Sequence, residues 1–277
     1  TVLLATTGGG KSLVKCHHAA SALMMGKNVL YITMEMAEER ISERIDANMM
    51  DVTIDEVAET PRDVFAKRIG RFTSKTTGKL VVKEYPTGSA HVGHFRHLLN
   101  ELKMKRNFAP DIIFIDYLNI CNSSRLKNNG AVNSYTFVKA IAEELRGLAI
   151  EQNVPIFSAT QVNRSGFNNS DMGLEDTSES FGLPQTADLM FALISTEELE
   201  ERDQIMVKQL KNRYNDPAKN RKFVLGINRG KMKLYDVDVE EQNGIVNSNQ
   251  STEEKAASGY DITFNDKFKK QDLSSWK

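Results

Sequence analysis

Residues 3–13 read LLATTGGGKSL, and this stretch decides how the rest of the chain is organised. A short apolar run leads into three glycines, then Lys-Ser, then residues that can start a helix. Glycines allow the backbone to curl with its N–H groups pointing inward, and the N-terminus of the following helix adds a positive partial charge. The pattern therefore predicts a phosphate-binding loop between a buried strand and an amphipathic helix.

Two residues of this loop carry the expected chemistry. Lys11 is expected to reach the β- and γ-phosphates of a nucleotide, and the Ser12 hydroxyl is expected to ligate Mg2+. The usual motif has a glycine where this chain has Ala5, so the strict pattern is missed by one methyl group. An ordinary glycine-rich turn is the alternative, and the strand before it and the amphipathic segment after it disfavour that reading. The predicted nucleotide-binding residues are Thr7, Gly8, Gly9, Gly10, Lys11, Ser12 and Leu13.

Composition limits the class of protein. The chain has 277 residues, 40% of them hydrophobic and 26% charged, as in a soluble globular protein with one large domain or two small ones. The net charge of -1 provides no general attraction to nucleic acid or membranes, so any DNA contact must come from a local patch. Two distant cysteines, without a signal peptide or a membrane-spanning apolar run, predict a cytoplasmic protein. Because the chain begins with Thr1 inside the first strand, we expect a fragment that lacks an N-terminal domain.

Acidic residues lie at the ends of two predicted strands, at the edge where parallel sheets bind ligands. Residues 28–34 (NVLYITM) form a nearly continuous apolar run, typical of a buried parallel strand, and Glu35 follows it directly. A carboxylate there can orient a water molecule for attack on a γ-phosphate, but it can equally stabilise the N-terminus of a helix over residues 36–50. Residues 111–117 (DIIFIDY) describe a second central strand, and Asp116 is predicted to hold the Mg2+ shell.

Further strands and helices complete an α/β pattern. Residues 154–160 (VPIFSAT) predict a buried strand that ends at Gln161, whose amide either senses the γ-phosphate or caps a loop. A basic turn, KNRYNDP, occupies residues 211–217, between strands that are expected at an antiparallel edge. Helices are predicted over residues 13–25, 36–50, 90–106 and 134–152, and strands over 2–4, 28–34, 80–85, 111–117, 154–160, 187–194, 204–210, 223–227 and 232–237. The predicted fold class is α/β, with a mostly parallel central sheet flanked by helices and antiparallel edge strands.

The composition changes near residue 238. Residues 1–238 are expected to form the α/β domain, and residues 239–277, rich in Asn, Ser, Glu, Lys and Gln, to form a polar, disordered tail. Within this tail, residues 262–276 place two phenylalanines, a leucine and the only tryptophan among lysines. That pattern is typical of a helix that folds on a partner, and a merely solvated tail is the alternative.

The order of these groups resembles a known family. A Lys-Ser pair in a glycine-rich loop, Glu35, Asp116, Gln161 and a Lys-x-Arg turn follow one another as in the RecA-like ATPase domain of DnaB-family replicative helicases. The stretches that carry the resemblance are YITMEM, IIFIDYL, SATQVNRS, SESFGLPQTAD and KNRYND, which together span most of residues 1–238. The phrases MEMAEERISERIDANM and YTFVKAIAEELRGLA are most similar to the family members of T-even-type phages. The resemblance implies a RecA-like P-loop NTPase fold.

The resemblance also implies a role for each strand-end residue. Glu35 becomes the general base, Gln161 the sensor of the γ-phosphate, and Asp116 the acid of the Mg2+ shell. Arg213, together with Lys211, becomes the arginine finger that reaches the ATP of the neighbouring subunit. Such a finger makes a ring the active unit, because no subunit then completes its own site.

The resemblance also implies two loops that contact DNA as the protein moves along it. In this chain they correspond to residues 125–133 and 163–181. In the second loop, bacterial members carry an arginine where this chain has Ser178, so DNA contact there must rest on backbone amides or other side chains. The predicted DNA-binding residues are Arg125, Lys127, Arg164, Ser178 and Ser180.

The function implied by the resemblance is that of an ATP-dependent replicative DNA helicase. A homo-hexameric ring would hydrolyse ATP with Mg2+, move along single-stranded DNA in the 5'-3' direction and unwind the duplex. Expected partners are a primase and a helicase loader, in the host cytoplasm if a phage encodes the chain. Two alternatives stay open: a RecA-like recombinase that forms filaments, and a nucleotide-binding scaffold or loader that does not hydrolyse ATP. Glu35, Asp116 and Arg213 together disfavour the scaffold, because binding alone needs neither a base nor a finger.

Overall fold

The computed structural model describes residues 1–73, 78–126, 132–162, 172–174, 182–216, 219–238 and 242. Residues Thr1–Val237 form one compact unit, which contains the fold described below, and Asp238–Lys277 form a second. Apart from Gln242, the predicted polar tail lies outside the described residues. The predicted domain boundary near residue 238 therefore stays a prediction.

A single sheet organises the described part of the chain. Its nine strands are, in chain order, β1 (Val2–Ala5), β2 (Val29–Thr33), β3 (Leu80–Glu84), β4 (Ile112–Asp116), β5 (Ile156–Gln161), β6 (Leu189–Ile194), β7 (Gln204–Asn212), β8 (Lys222–Asn228) and β9 (Lys233–Asp236). They lie side by side in the order β3-β2-β4-β5-β1-β6-β7-β8-β9. In this order, the neighbours among the first six strands, from β3 across to β6, are parallel. The three remaining pairs, from β6 across to β9, are antiparallel. This topology confirms the predicted mostly parallel sheet with antiparallel edge strands.

Helices cover both faces of the sheet. They are α1 (Lys11–Met24), α2 (Glu38–Met50), α3 (Ile54–Glu59), α4 (Arg62–Thr73), α5 (Val92–Arg106), α6 (Ser134–Gln152), α7 (Gly182–Thr186) and α8 (Glu197–Glu201), with a 3-10 turn at Leu118–Ile120. Strand β2 links the two layers, because its successive side chains point to opposite faces. Leu30 and Ile32 pack into the apolar cluster formed with α5 and α6, and Val29 and Tyr31 pack into the cluster formed with α1 and α2. In the described part of the chain, no helix is both long and apolar enough to cross a membrane.

Three helices begin at other residues than predicted, and one of them is α5, which begins at Val92 and not at residue 90. The differences at α1 and α2 shape the carboxyl edge of the parallel strands. Helix α1 begins two residues earlier, at Lys11, so the Lys-Ser pair lies in its first turn. Helix α2 begins two residues later, at Glu38. The reason is a bend in which the Thr33 hydroxyl accepts from the backbone N–H of Met36 at 3.1 Å and donates to the Met36 carbonyl at 2.7 Å. Helix α6 begins and ends as predicted.

One partly buried acid of α2 leads to a prediction about stability and pH. Burial, together with the nearby charge of Glu43, raises the pKa of Asp46 from 3.8 to about 6. The folded protein therefore disfavours the ionised form, a penalty that is absent below about pH 4 and complete above about pH 6. Asp46→Asn is expected to raise the free energy of unfolding by about 1–3 kcal/mol at about pH 8 and to change it little at about pH 4. Thermal melts of both proteins at the two pH values measure the difference.

The matched control for this prediction is Glu59→Gln, which changes an exposed acid at the end of α3. Its pH dependence of stability should follow that of the unchanged chain. An Asp46→Asn protein that is no more stable than the unchanged chain at about pH 8 would contradict the burial of the Asp46 carboxyl group.

Candidate nucleotide-binding site

Three glycines shape the loop between β1 and α1, each for a physical reason. Gly8 and Gly10 have φ angles of 77° and 84°, in the left-handed region that residues with a side chain rarely adopt. Gly9 is required by space, because a Cβ atom there would lie 2.8 Å from the Thr6 hydroxyl oxygen. The N–H of Gly9 donates to the Thr6 carbonyl at 3.1 Å, which closes the turn. The backbone thus curls in the way that phosphate binding requires.

The first turn of α1 can present both N–H donors and an ammonium group to an anion. Its N-cap is Gly10, which contributes no capping side chain, so the first backbone N–H groups have no partner within the helix. The Lys11 ammonium turns back over the loop and donates to the carbonyls of Thr6 and Ala5, at 2.6 and 3.4 Å. Lys11 is only 9% exposed, so this charge is held inside the loop. Together these groups form a site suited to a chain of phosphates.

Asp116 lies at the end of β4 and contacts the same helix. Strands β2 and β4 pair with Thr33 opposite Asp116, which places this carboxylate at the carboxyl edge of the sheet. Its Oδ2 atom accepts from the Ser12 hydroxyl at 2.9 Å and from the Tyr31 hydroxyl at 3.0 Å. Its Oδ1 atom forms an ion pair with the Lys15 ammonium. The two residues predicted as metal ligands, Ser12 and Asp116, are thus in direct contact.

Lys15 is a site residue that no motif in the sequence singles out. It follows Lys11 by four residues and precedes Ala19 by four, so it lies on the face of α1 that packs against the sheet. A lysine on a buried helix face needs a partner of opposite charge, and this was the signal available in the sequence. The identity of the partner, Asp116, depends on the fold.

Burial and neighbouring charges shift the pKa values of these groups. Burial lowers the pKa of Lys15, against the opposing effect of the Asp116 carboxylate. Burial also lowers the pKa of Lys11, the charge of Lys15 lowers it further, and the carboxylates of Glu35 and Asp116 oppose both effects. Burial by itself would raise the pKa of Asp116, but the Lys15 ammonium and the hydrogen bonds hold it below its ordinary value. Mutually perturbed charges at the ends of parallel strands are typical of an active site.

Glu35 lies in the bend that follows β2, on the same edge as the loop. Its side chain is exposed, and its charge acts on both Lys11 and Lys15. It does not belong to α2, whose first turn carries Glu38 and Glu39 instead. Of the two placements that the sequence left open, the structure therefore shows the one near the loop lysine and outside the helix.

Gln161 is the last residue of β5 and stands beside the loop. In the parallel pairing of β1 and β5 it lies opposite Ala5, the residue from which the loop departs. Its amide donates to the Tyr117 hydroxyl at 3.1 Å, and Tyr117 directly follows Asp116. This hydrogen bond links the amide to the segment that carries the acid, a connection that strand patterns do not predict.

Arg213 and Lys211 lie at the opposite edge of the sheet. Strand β7 runs antiparallel to β6, so its C-terminal end stands beside the start of β6. There the Arg213 guanidinium lies 2.8 Å from the Asp188 carboxylate, and Lys211 donates to backbone carbonyls of α7. Because Leu193 of β6 pairs with Ala5 of β1, about 16 Å of strand separates Asp188 from the level of the loop. The guanidinium therefore does not reach the phosphate-binding loop of its own chain.

Of the predicted DNA-binding residues, the structure describes Arg125. Its guanidinium lies 2.8 Å from the Glu143 carboxylate and 3.3 Å from the Glu144 carboxylate, both on α6. Glu144 also accepts from the hydroxyl groups of Ser123 and Ser124, so it anchors the start of the first predicted DNA loop. The remaining four, Lys127, Arg164, Ser178 and Ser180, lie outside the described residues.

Known proteins are similar in sequence to this chain over most of its length. Residues 1–230 match the family model of the DnaB-like helicase C terminal domain. A DnaB-like replicative helicase of Enterobacteria phage T4 is 48% identical over 240 residues, which are 86% of this chain and 50% of that protein. The replicative DNA helicase DnaB of Helicobacter pylori strain J99 is 26% identical over 196 residues, which are 69% of this chain and 39% of that protein. The chain thus spans at most about half the length of these two relatives.

Two solved structures share the fold. One, described as the structure of a DnaB-like replicative helicase and its interactions with primase, has a TM-score of 0.69 at 17% identity and covers 86% of this chain and 57% of that chain. The other, described as an ATPase domain, has a TM-score of 0.70 at 18% identity and covers 86% of this chain and 84% of that chain. At these identities the likeness speaks for the fold alone, and it confirms the predicted fold class. From the family match and the phage relative, we conclude that this chain belongs to the DnaB-like helicase C-terminal domain family.

Proposed function

We propose that this chain is the ATP-hydrolysing motor of a replicative DNA helicase, and that its active sites are completed only between subunits. The distribution of charged groups across the sheet carries this proposal. Lys11, Ser12, Glu35 and Asp116 meet at one edge, whereas Arg213 lies at the other. A nucleotide bound at the first edge would lack this arginine from its own chain, and a neighbouring subunit can supply it.

The residues at the carboxyl edge can divide the work of ATP hydrolysis. The Lys11 ammonium can exchange the loop carbonyls for phosphate oxygens, and the N–H groups at the start of α1 can donate to the same phosphates. The Glu35 carboxylate can orient the attacking water molecule and accept its proton. The Gln161 amide, one strand away, can donate to the γ-phosphate and transmit its presence to Tyr117.

Mg2+ is the metal that the donor set of this site fits. Ser12 Oγ and Asp116 Oδ2 are hard oxygen donors 2.9 Å apart, beside the N-terminus of α1. The second oxygen of Asp116 pairs with the Lys15 ammonium, so Oδ2 is the oxygen proposed for the metal. When bound there, Mg2+ would neutralise the charge that develops between the β- and γ-phosphates.

The position of the arginine implies a contact between neighbouring subunits. If each subunit presents the edge with Arg213 to the loop of the next, the contact is head to tail, and such contacts either close into rings or continue as open filaments. The family resemblance implies the closed form with six subunits. The ion pair with Asp188 holds the guanidinium in a defined place at that edge.

Single-stranded DNA is the proposed track of this ring, contacted by residues 125–133 and 163–181. Because Arg125 is paired with two carboxylates of α6, its contact with a DNA phosphate would require the exchange of an ion pair. A net charge of -1 is compatible with DNA binding, since few contacts per subunit multiply around a ring. Movement in the 5'-3' direction, a primase and a loader as partners, and action in the host cytoplasm complete the proposal. The solved relative described with its interactions with primase supports the first of these partners.

Phosphate release measured with and without single-stranded DNA tests this function. Strong stimulation by DNA is expected, together with closed six-fold rings in electron micrographs taken with ATP and Mg2+. Helical filaments on DNA would instead support the recombinase alternative. Binding of ATP without any release of phosphate would instead support the alternative of a nucleotide-binding scaffold or loader.

A further inference from the structure

The carboxylate of Asp116 is enclosed by protein groups on both of its oxygens. Oδ2 accepts from Ser12 and Tyr31 at 2.9 and 3.0 Å, and Oδ1 pairs with Lys15. The pair is deeply buried, with Lys15 0% and Asp116 1% exposed. Ser12 belongs to the phosphate-binding loop and Tyr31 to the core, but the hydrolysis described above assigns no part to a second lysine.

A buried lysine at this position destabilises the protein unless its charge is stabilised by the Asp116 carboxylate. Moving an ammonium group from water into a protein interior is costly, and an ion pair offsets the cost only in part. The two ammonium groups also lie one helical turn apart on α1, and the charge of Lys15 lowers the pKa of Lys11. Without Lys15, in turn, Asp116 would be a buried carboxylate supported by two hydroxyl groups alone. Each charge is therefore stable in this position because of the other.

We propose that Lys15 is a positioning residue for Asp116: an internal counter-ion that holds the carboxylate in place and competes with Mg2+ for it. Two cations cannot both neutralise one buried carboxylate, so Mg2+ alone gains little by approaching Asp116. A bound triphosphate adds negative charge beside Lys11 and makes room for both cations. The nucleotide-free protein should thus bind Mg2+ weakly, and the metal should enter with the nucleotide. This inference rests on the proposed role of Asp116 as the acid of the metal site.

Lys15→Met tests the inference, because methionine is a flexible apolar side chain that can fill the space without the charge. In the nucleotide-free protein, Mn2+ binding followed by electron paramagnetic resonance is expected to tighten by about tenfold or more, which corresponds to about 1.4 kcal/mol. The melting temperature of the variant should rise on addition of Mg2+, whereas that of the unchanged chain should respond little. A purely structural role for Lys15 predicts the opposite sign, since a disturbed site would bind metal more weakly.

Three further proteins make the test decisive. Lys27→Met changes an exposed lysine just beyond the end of α1 and should leave Mn2+ affinity unchanged. Lys15→Gln removes the charge but keeps a donor for Asp116, and it provides the same comparison should Lys15→Met fail to fold. In Lys15→Met/Asp116→Asn, the gain in affinity should disappear, which would assign the bound metal to Asp116.

Mn2+ affinity in Lys15→Met or Lys15→Gln that equals or falls below that of the unchanged chain would overturn the inference. The measurement contains no nucleotide, so its outcome does not depend on ATP hydrolysis. A failure of the proposed function would appear separately, as a lack of phosphate release by the unchanged chain with ATP, Mg2+ and DNA.

Discussion

Lys11→Ala is expected to abolish ATP hydrolysis and DNA unwinding together. The Lys11 ammonium lies within the curl of the loop, 2.6 Å from the Thr6 carbonyl, where the phosphate oxygens of a nucleotide are expected. Its removal takes away a charge-assisted hydrogen bond to those oxygens, both in the bound nucleotide and in the transition state. Turnover should fall by at least about 10²–10³-fold, and nucleotide affinity should fall with it. Phosphate release, strand separation and titration with a fluorescent nucleotide measure the three effects.

This loss should not come from unfolding. Burial and the charge of Lys15 lower the pKa of Lys11, so folding carries a cost for this ammonium group that the alanine variant does not have. Lys11→Ala should therefore stay folded, with a melting temperature close to that of the unchanged chain. Lys27→Ala, which changes an exposed lysine just beyond the end of α1, should retain both turnover and stability. Normal turnover in Lys11→Ala would mean that the glycine-rich loop is not the nucleotide site.

Arg213→Ala is expected to stop turnover and to spare nucleotide binding. Asp188, the ion-pair partner of Arg213, is separated by about 16 Å of strand from the level of the loop in the same chain. Removal of the guanidinium therefore leaves that loop intact. An arginine supplied in trans stabilises the charge of the transition state, and its removal typically costs about 10³–10⁵-fold in rate. ATP affinity should stay unchanged while phosphate release falls. Arg202→Ala, which changes an exposed arginine paired with Glu198, is the matched control and should turn over normally.

Mixing two inactive proteins separates a finger in trans from a structural role for Arg213. Glu35→Gln subunits lack the proposed base but keep the finger, and Arg213→Ala subunits keep the base. In mixed rings, about one quarter of the interfaces combine an intact base with an intact finger, so phosphate release should partly recover. Normal turnover in Arg213→Ala alone, or no recovery in rings shown to be mixed, would reject the interface model.

The strands of this fold were predictable because parallel strands are covered on both sides. Strands β2 and β4 are apolar almost throughout; β4 ends on Asp116, and Glu35 comes two residues after the end of β2. The start of α1 was less predictable, because Gly10 has a left-handed backbone and still leads directly into the helix. A Gly-Lys-Ser run does not show by itself at which of its residues the loop ends and the helix begins. The start of α2 depended on a bend closed by the Thr33 hydroxyl, which a strand-then-helix pattern does not contain.

The sequence by itself determined the fold class and the family, and it predicted a phosphate-binding role for the glycine-rich loop. It also determined which edge of the sheet carries Glu35, Asp116 and Gln161, because each lies at or just after the end of a parallel strand and all such strands end at the same edge. Order along the chain was enough for this, since a parallel sheet converts strand ends that are distant in sequence into neighbours. The roles of these residues in hydrolysis stay predictions.

Only the tertiary structure decided which groups touch. Lys15 and Asp116 are 101 residues apart in the chain and form a buried ion pair, and the Gln161 amide meets the Tyr117 hydroxyl across two strands. Arg213 lies at the far edge because β7 runs antiparallel to β6, and its ion-pair partner there, Asp188, was not predicted. Such contacts depend on strand order and on the stacking of a helix on the sheet. Strand order and helix stacking are set by the packing of the whole core, and the sequence of any one segment determines only part of that packing.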